Sequence, residues 1–196
     1  MTSMNLPACD QKSDEEIIAL TLADQGYYAC LIERYEQKLT NYIRRLAGLG
    51  AEDTEDLLQD IFIKIYQNLN DFDQNLKFSS WAYRIAHNEI ISHWRKSSSR
   101  PRLIGGNEVE EFLHNVADET NIHVDLEKQS VREDIQKVLE KIDLKYREVL
   151  VLKFLEEKSY EEIADILKKP LGTISTLISR AKKLFKKEAD KLNIKF

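Results

Sequence analysis

Apolar and polar positions recur along the chain with the period of an α-helix. Between residues 53 and 69, six apolar side chains fall three or four residues apart, which at about 100° per residue places them on one helical face. They are Leu57, Leu58, Ile61, Phe62, Ile65 and Leu69. Two helices are predicted before them, a short one from Ser13 to Ala23 and a longer one from Tyr27 to about Ala47. These apolar faces predict a helical core.

The opposite face of the third helix is polar except for one isoleucine. It carries, at positions i, i+3, i+4, i+7 and i+11, the residues Asp56, Gln59, Asp60, Ile63 and Gln67. An apolar residue set among acids and amides is typical of a docking surface, because amphipathic helices meet partner helices through such anchors. The alternative is a solvated face, since singly exposed apolar residues are common on soluble proteins. We expect Asp53 or Thr54 to cap this helix.

A fourth helix is predicted from Ser79 or Ser80, either of which can cap it, to about Lys96. One face aligns Trp81, Arg84, Asn88, Ser92 and Arg95. Arginine pairs with phosphate, aromatic rings stack on bases and asparagine can read a base edge, so this face favours nucleic-acid binding. The alternative is a solvated basic face with a buried tryptophan.

The segment from Asn70 to Lys77, between these two helices, is a polar loop in which Phe72, Leu76 and the following Phe78 recur. A polar loop with aromatic residues beside a basic helix could hold an unstacked base. The alternative is that these side chains anchor the loop to the core, and for Phe72 we expect this anchoring role.

After Lys96 the composition changes to Ser, Pro, Gly and acidic residues, which bury too little apolar surface to offset the entropy of ordering. We therefore expect a flexible linker over residues 98–124. Order returns at about Asp125. Apolar positions from Leu126 to Ile142 and from Tyr146 to Phe154 then predict two more helices.

A helix-turn-helix pattern ends the chain. Ser159 and Glu162 have capping-box spacing, a turn is predicted at residues 168–172, and Thr173 can cap the last helix. The second helix of such a motif enters the major groove by its N-terminal half. Its outer face presents hydroxyl groups first and bases later, which suits base readout and phosphate positioning. These residues are Ser175, Thr176, Ser179, Arg180 and Lys183. The alternative is a basic, solvated helix in a bundle.

The run DLLQDIFIKIYQNL, followed by DFD and KFSSWAYRIAHNEIISHWRK, resembles region 2 of bacterial RNA polymerase sigma factors of the sigma-70 family, in the extracytoplasmic-function (ECF) group. In that family the first helix docks on a coiled coil of the largest catalytic subunit of the polymerase. The second helix and its preceding loop melt and read the promoter minus-ten element. The resemblance implies polymerase binding by Asp56, Gln59, Asp60 and Ile63. It implies minus-ten contacts by Lys77, Phe78, Trp81, Arg84, Asn88 and Arg95, while Ser92 stands where the family often has an aspartate.

The C-terminal stretch IADIL with GTISTLISRAKKL resembles sigma region 4, which reads the promoter minus-thirty-five element. The resemblance implies DNA contacts by Thr173, Ser175, Thr176, Ser179, Arg180 and Lys183. The expected fold is all-α with two helical domains, region 2 at residues 14–97 and region 4 at residues 125–196. Expected partners are core RNA polymerase, promoter DNA and an anti-sigma factor.

The net charge of −5 conceals two basic islands. Residues 77–102 hold six basic residues and one acid, and residues 168–196 hold nine basic residues and two acids. Phosphate attraction is local, within a Debye length of roughly 8 to 10 Å, so the islands matter more than the total charge. We expect the acidic remainder to make the chain alone a poor DNA binder. Such a charge distribution suits a subunit that reads DNA inside a larger assembly.

The sequence disfavours several other classes of protein. No segment approaches the roughly 18 apolar residues of a membrane span, and no signal peptide is found, so we expect a cytoplasmic protein without membrane insertion. Cys9 and Cys30 lack metal-ligand spacing, and we expect reduced thiols. No metal or cofactor motif and no catalytic constellation is found, so we do not expect an enzyme.

Two rival functions stay open. The first is a free-standing helix-turn-helix transcriptional regulator that dimerises on a palindrome, which leaves the stripe from Trp81 to Arg95 unexplained. The second is a helical adaptor that binds only proteins, which the two basic islands disfavour.

Overall fold

The computed structural model describes residues 9–73, 76–98 and 125–194. These residues form eight α-helices and no strand. The helices are α1 Asp14–Ala23, α2 Tyr28–Ala47, α3 Ala51–Gln67, α4 Phe78–Ser98, α5 Asp125–Glu140, α6 Leu144–Leu150, α7 Tyr160–Leu167 and α8 Leu171–Lys191. The all-helical prediction is confirmed. The linker is expected at residues 98–124, and all of it after Ser98 lies outside the described residues.

Three short segments extend the helices. Turns of 3-10 helix occur at Gln25–Tyr27 and Leu69–Asp71. The end of α6 widens into a π-helical segment, Val151–Leu155, in which the Glu156 amide donates to the Val151 carbonyl at 3.0 Å.

Local sequence signals place several helix ends correctly. Both predicted capping boxes form: the Ser13 hydroxyl accepts the Glu16 amide at 3.2 Å, and the Ser159 hydroxyl accepts the Glu162 amide at 3.1 Å. Each glutamate in turn accepts the amide of its serine. Gly48 ends α2 with φ of 64°, a left-handed conformation that glycine adopts without steric cost.

Three helices begin before their predicted caps. The predicted capping residues, which lie inside the first turns of these helices, are Asp53, Thr54, Ser79, Ser80 and Thr173. In α3 the Thr54 hydroxyl is buried and donates to the Leu49 carbonyl at 3.4 Å. In α4 the first helical bond runs from the Trp81 amide to the Lys77 carbonyl. In α8 the Pro170 carbonyl accepts two amides of the first turn, and the fixed φ of proline favours this start.

The N-terminal core is built from α1 to α4. The six residues of the predicted apolar face of α3 are all buried, as expected. Phe72, Phe78 and Trp81 pack together with ring centroids 5.3 to 5.7 Å apart, and Phe78 also meets Tyr35 edge to face. The prediction that Phe72 anchors the loop to the core is confirmed.

The C-terminal core lies among α5 to α8. Its buried residues include Val138, Leu139, Val149, Ile163, Ile174, Ile178 and Ala181. Val131 and Phe154, which belong to the apolar patterns that predicted these helices, are about half exposed. Helix α4 packs against α7 of this half as well as against α2 and α3, so the two halves are in contact.

The expectation of two reduced thiols is wrong in this structure, because Cys9 and Cys30 form a disulfide. The Arg34 guanidinium holds the same N-terminal segment, donating to the carbonyls of Cys9 and Lys12 at 3.0 Å and pairing with Asp14 at 2.6 Å. A separation of 21 residues carries no signal for pairing. Packing of the segment against α2 is what brings the sulfur atoms together.

Candidate nucleic-acid interface

The predicted docking face of α3 lies on the outside of the fold. Its four polar members are exposed, and the Ile63 side chain is 53% exposed although the neighbouring apolar residues of the helix are buried. About half of the Ile63 surface is left in water, and burying it against a partner would recover about 1 kcal/mol, half of what full burial of an isoleucine contributes. The surface therefore has the chemistry of a protein-binding face.

The predicted stripe on α4 divides into differently exposed parts. Phe78 and Trp81 are only 1% and 8% exposed and belong to the aromatic cluster, so the alternative of a buried tryptophan describes Trp81. Asn88 and Arg95 are exposed, whereas Arg84 is partly buried. The stripe is not one continuous open surface.

A small polar pocket lies beside Asn88, between the end of α3 and the middle of α4. It has a volume of about 270 Å³. Its walls are Lys64, Asn68, Asp71, Trp81, Ile85, Asn88 and Glu89. Lys64 pairs with Glu89 at 2.6 Å and fixes one wall. Amide groups and an ammonium group supply hydrogen bonds that an unpaired base can make, while the Trp81 ring, only 8% exposed, forms an apolar wall.

Another part of α4 faces the C-terminal half, where acidic residues of α7 meet it. Lys77 pairs with Glu162 at 3.1 Å, and the Arg84 guanidinium donates to the Asp165 carboxylate at 3.2 Å. Asp165 also accepts from Lys168 at 2.7 Å. Two residues assigned to the minus-ten element are thus held by carboxylates of the chain itself.

A buried glutamate of α6 lies next to these pairs. The Glu148 side chain is 5% exposed; His87 of α4 approaches it at 3.1 Å, and Lys169 donates to its other oxygen. Burial raises the pKa of this carboxyl group, but the bonds from His87 and Lys169 outweigh burial and hold the pKa below its ordinary value. Glu148 is therefore ionised in the folded chain at neutral pH.

A second buried glutamate completes the contact between the halves. Glu156 accepts from the Tyr83 hydroxyl at 2.7 Å and from Arg45 of α2 at 2.8 Å. Burial and the neighbouring Glu156 charge raise the pKa of Tyr83, so this phenol stays a donor. Lys158 lies 4.2 Å from the centre of the Tyr83 ring, and burial lowers the pKa of its amine. These polar bonds lie beside apolar packing, because the buried apolar residues of the two halves form one continuous core.

The predicted outer face of α8 is open. The side chains assigned to the minus-thirty-five element are exposed, namely Thr173, Ser175, Thr176, Ser179, Arg180 and Lys183. The underside of the helix, with Ile174, Ile178 and Ala181, is buried. The Thr176 hydroxyl donates to the Gly172 carbonyl at 2.9 Å. This exposure is what a recognition helix needs, since its outer side chains must reach the base edges.

Sequence reasoning missed an apolar groove of about 730 Å³ in the C-terminal half. It lies among α5, the π-helical segment and α8. Apolar lining residues are Ile135, Leu139, Leu150, Phe154, Leu155, Phe185, Ala189 and Ile194, with Lys182, Lys186 and Asp190 also on its walls. Ile135 and Phe154, two residues of the apolar patterns that predicted these helices, form part of its walls.

Sequence reasoning also missed the acidic partners of α4. Glu148, Glu156, Glu162 and Asp165 come from helices that are distant from α4 in sequence, so no local pattern pairs them with it. One signal was present: Glu148 directly precedes the apolar run VLVLKFL, and an acid packed beside such a run needs a partner.

Among residues 9–73, 76–98 and 125–194, no group of three or more His, Cys, Asp or Glu side chains is arranged to hold a metal ion. No helix in the same residues is both long and apolar enough to cross a membrane.

Comparison with known proteins gives consistent results. The family Sigma-70 region 2 matches residues 31–100, and the family Sigma-70, region 4 matches residues 132–185. The ECF RNA polymerase sigma factor SigW of Bacillus subtilis (strain 168) is 34% identical over 169 residues, which cover 84% of this chain and 90% of that protein.

Two solved structures share the fold. CnrH in complex with the cytosolic domain of CnrY matches with a TM-score of 0.67 and 23% identity, covering 91% of this chain and 97% of that chain. The sigma factor RpoE, in complex with the anti-sigma factor NepR from Bartonella quintana, matches with a TM-score of 0.61 and 24% identity, covering 83% and 96%.

Proposed function

This chain belongs to the extracytoplasmic-function group of the sigma-70 family, and from that membership we propose how its surfaces share the work of promoter recognition. As a sigma factor it directs RNA polymerase to promoters and starts transcription there. The observation that carries this function is the presence of both sigma regions, in order, in one chain that is 34% identical to SigW.

We assign region 2 to residues 14–97, the linker to residues 98–124 and region 4 to residues 125–196. Within region 2, the exposed face of α3 binds the coiled coil of the largest catalytic subunit of core polymerase. The contacts are Asp56, Gln59, Asp60 and Ile63. Ile63 supplies the apolar anchor and the polar residues supply the specificity of orientation.

The minus-ten element binds around α4. Lys77, Arg84 and Arg95 contact phosphates, and Asn88 reads a base that enters the polar pocket beside Trp81. Capture of the unpaired base offsets an unstacking cost of a few kcal/mol, which favours the open promoter. Phe78 and Trp81 form the rigid floor of this site, because both are packed in the aromatic cluster.

The minus-thirty-five element binds the exposed face of α8. The hydroxyl groups of Ser175, Thr176 and Ser179 lie where a recognition helix meets base edges, and Arg180 and Lys183 lie further along, where phosphates are reached. Thr173 in the first turn completes the contact surface.

The reaction itself belongs to the polymerase. This chain supplies promoter specificity, and it acts where the polymerase and the chromosome are, which is the cytoplasm. It is therefore not an enzyme by itself.

An anti-sigma factor is a further partner. The sigma factor RpoE has an anti-sigma factor bound in its solved structure, and we extend that kind of partner to this chain. The apolar groove of the C-terminal half fits an amphipathic helix, and Lys182 and Lys186 on its walls favour acidic residues on that helix. Substitution of half-exposed Phe154 by Ser tests this site through affinity for the anti-sigma factor.

The rival function, a free-standing helix-turn-helix regulator, is not favoured. Such a regulator needs only region 4, whereas the Sigma-70 region 2 match covers 31–100, the part that contains α3 and α4. A free-standing regulator also needs neither the exposed Ile63 on α3 nor the polar pocket beside Asn88.

Run-off transcription tests the function directly. Genomic fragments are transcribed by purified core polymerase with and without the full chain, and discrete start sites should depend on the chain. Ile63→Glu should abolish co-elution with core polymerase. Leu22→Glu is the matched control, because Leu22 is a similarly exposed apolar residue on α1. If no start site depends on the chain and it does not co-elute with core polymerase, the assignment is wrong.

A further inference from the structure

The N-terminal half of α8, from Leu171 to Ser179, contains no charged residue and no amide side chain. Guanine is usually read by arginine or lysine, adenine by asparagine or glutamine, and cytosine by an acid, so these three pairings are unavailable there. Hydroxyl groups, which discriminate little between bases, and apolar groups, which contact the 5-methyl group of thymine, are what remains. We propose that Thr176 reads thymine in the minus-thirty-five element through its methyl group.

The inference rests on the proposed function, because it takes the N-terminal half of α8 to enter the major groove. Thr176 lies at the centre of the exposed face of this helix. Ile174 and Ile178 are buried, and at about 100° per residue Thr176 lies directly opposite the direction midway between them. Thr176 is therefore the side chain that points most directly away from the core.

The surface next to Thr176 is open. Gly172, one turn earlier on the same line, has no side chain, and no atom of the described chain lies within 4 Å of the place that a Cβ would take there. Glycine at such a position allows a ligand to come close to the backbone. A base edge can therefore approach Thr176 from the N-terminal side without obstruction.

The Thr176 hydroxyl is already engaged within the helix. It donates to the Gly172 carbonyl at 2.9 Å. A hydroxyl has one proton, so this bond leaves Thr176 none to donate to N7 or O6 of guanine or to O4 of thymine. The bond also fixes the rotation about Cα–Cβ and with it the position of the methyl group. The methyl group is therefore the part of Thr176 that can recognise thymine.

Leu171 extends the apolar character of this end of the helix. It is the first residue of α8, and its side chain is 46% exposed. Charge begins only at Arg180 and continues with Lys183. This order assigns base recognition to the uncharged half and phosphate binding to the basic half. We therefore expect a minus-thirty-five element that has thymine where the first two turns of α8 meet the groove.

The test uses the holoenzyme formed by the full chain and core polymerase, on a promoter identified by run-off transcription. Each thymine of the minus-thirty-five element is replaced in turn by deoxyuridine, which removes the 5-methyl group and keeps the base pairing. Thr176→Ser keeps the hydroxyl and removes the methyl group, whereas Thr176→Val keeps a methyl group and removes the hydroxyl. Competition binding measures the affinities, and deoxyuridine in the spacer between the two promoter elements is the control.

Deoxyuridine at one position should weaken binding by wild type roughly fourfold, the factor expected when one methyl group is no longer buried. Thr176→Ser should bind the thymine promoter about fourfold more weakly than wild type and should not distinguish deoxyuridine from thymine at that position. Thr176→Val should distinguish them as wild type does. Discrimination that persists in Thr176→Ser, disappears in Thr176→Val, or is seen at no position would overturn the proposal.

A promoter with a scrambled minus-thirty-five element separates this proposal from the proposed function. If the wild-type holoenzyme binds the intact and scrambled promoters equally, α8 does not read the element and its proposed function falls. If the intact promoter is preferred but no thymine responds to deoxyuridine, only recognition through the methyl group is wrong.

Discussion

The two helices that we propose contact DNA, α4 and α8, have the same length and opposite accessibility. Each has 21 residues and a basic face. The face of α8 is exposed from Thr173 to Lys183. On α4, by contrast, Arg84 lies under α7, and Lys77, the residue before α4, pairs with Glu162 of α7. Helices with similar faces can therefore differ in availability, because availability depends on what the rest of the chain packs against them.

Packing explains the difference between the two helices. Helix α8 buries one side, through Ile174, Ile178 and Ala181, and leaves the other to the solvent. Helix α4 packs against α2, α3 and α7, which leaves the side with Asn88 and Arg95 exposed. Tyr83 is buried in this packing and reaches Glu156 in the other half. The minus-ten surface is thus built into the core, while the minus-thirty-five surface is added to its outside.

The N-terminal half is also braced covalently, and removing that brace should give the largest effect. Cys9→Ser should lower the free energy of unfolding by about 3 kcal/mol in oxidising buffer, because the disulfide closes a loop of about 21 residues in the unfolded chain. Urea denaturation measures the change. Wild type in reducing buffer is the control and should match the variant; equal stabilities in oxidising buffer would contradict the bracing.

Asn88→Ala should give the next largest effect, on the pocket side of α4 that remains open. Loss of a bidentate base contact costs about 1 to 3 kcal/mol, so open-complex formation should fall by roughly tenfold or more. Potassium permanganate footprinting of the minus-ten element measures it. Co-elution with core polymerase is the control and should be unchanged. Equal transcription by wild type and variant would remove Asn88 from the site.

Acid should weaken the contact between α4 and the C-terminal half before it affects α8. The pKa values of Glu148 and Glu162 are lowered on folding, so their stabilisation is complete above the ordinary value of 4.5 and is lost as the pH falls below it towards their folded pKa values. Wild type should lose free energy of unfolding more steeply below that pH than Glu148→Gln does. Urea denaturation at several pH values measures this, and parallel pH profiles would contradict it.

Single basic residues on the two helices should show the smallest but sharpest difference. In the free chain, Lys183→Ala should reduce the log-log salt slope for duplex DNA binding by about 0.9, the contribution of one phosphate. Arg84→Ala should leave that slope unchanged, because the Arg84 side chain is only 18% exposed and pairs with Asp165. Fluorescence anisotropy measures both, and an equal fall in slope for the two variants would show that the helices are equally available.

Features set by neighbouring residues could be predicted from the sequence. The capping boxes at Ser13 and Ser159, the Gly48 stop and the buried face of α3 depend on residues within a few positions of one another. The predicted cap at Thr173 was wrong because the backbone carbonyl of Pro170 receives the first amides and no side chain is needed.

Features set by distant residues could not be predicted. The Cys9–Cys30 disulfide joins residues 21 positions apart, and the pairing of Arg84 with Asp165 joins residues 81 positions apart. Helical periodicity relates residues within one helix and so cannot pair these. For Trp81 the sequence could not decide between base stacking and burial, because the residue lies on the basic stripe of α4. Only the packing of Phe72 and Phe78 around it decides for burial.

The central claim is that Arg84 of the proposed minus-ten surface lies under α7 in the free chain and becomes accessible when core polymerase binds. Energy transfer between fluorophores introduced as unnatural amino acids at Gln37 on α2 and Lys187 on α8 tests it most directly, since both positions are exposed and lie outside the proposed binding surfaces. High transfer in the free chain, falling when core polymerase is added, is the predicted result. Equal transfer in the free and bound chain would contradict the claim.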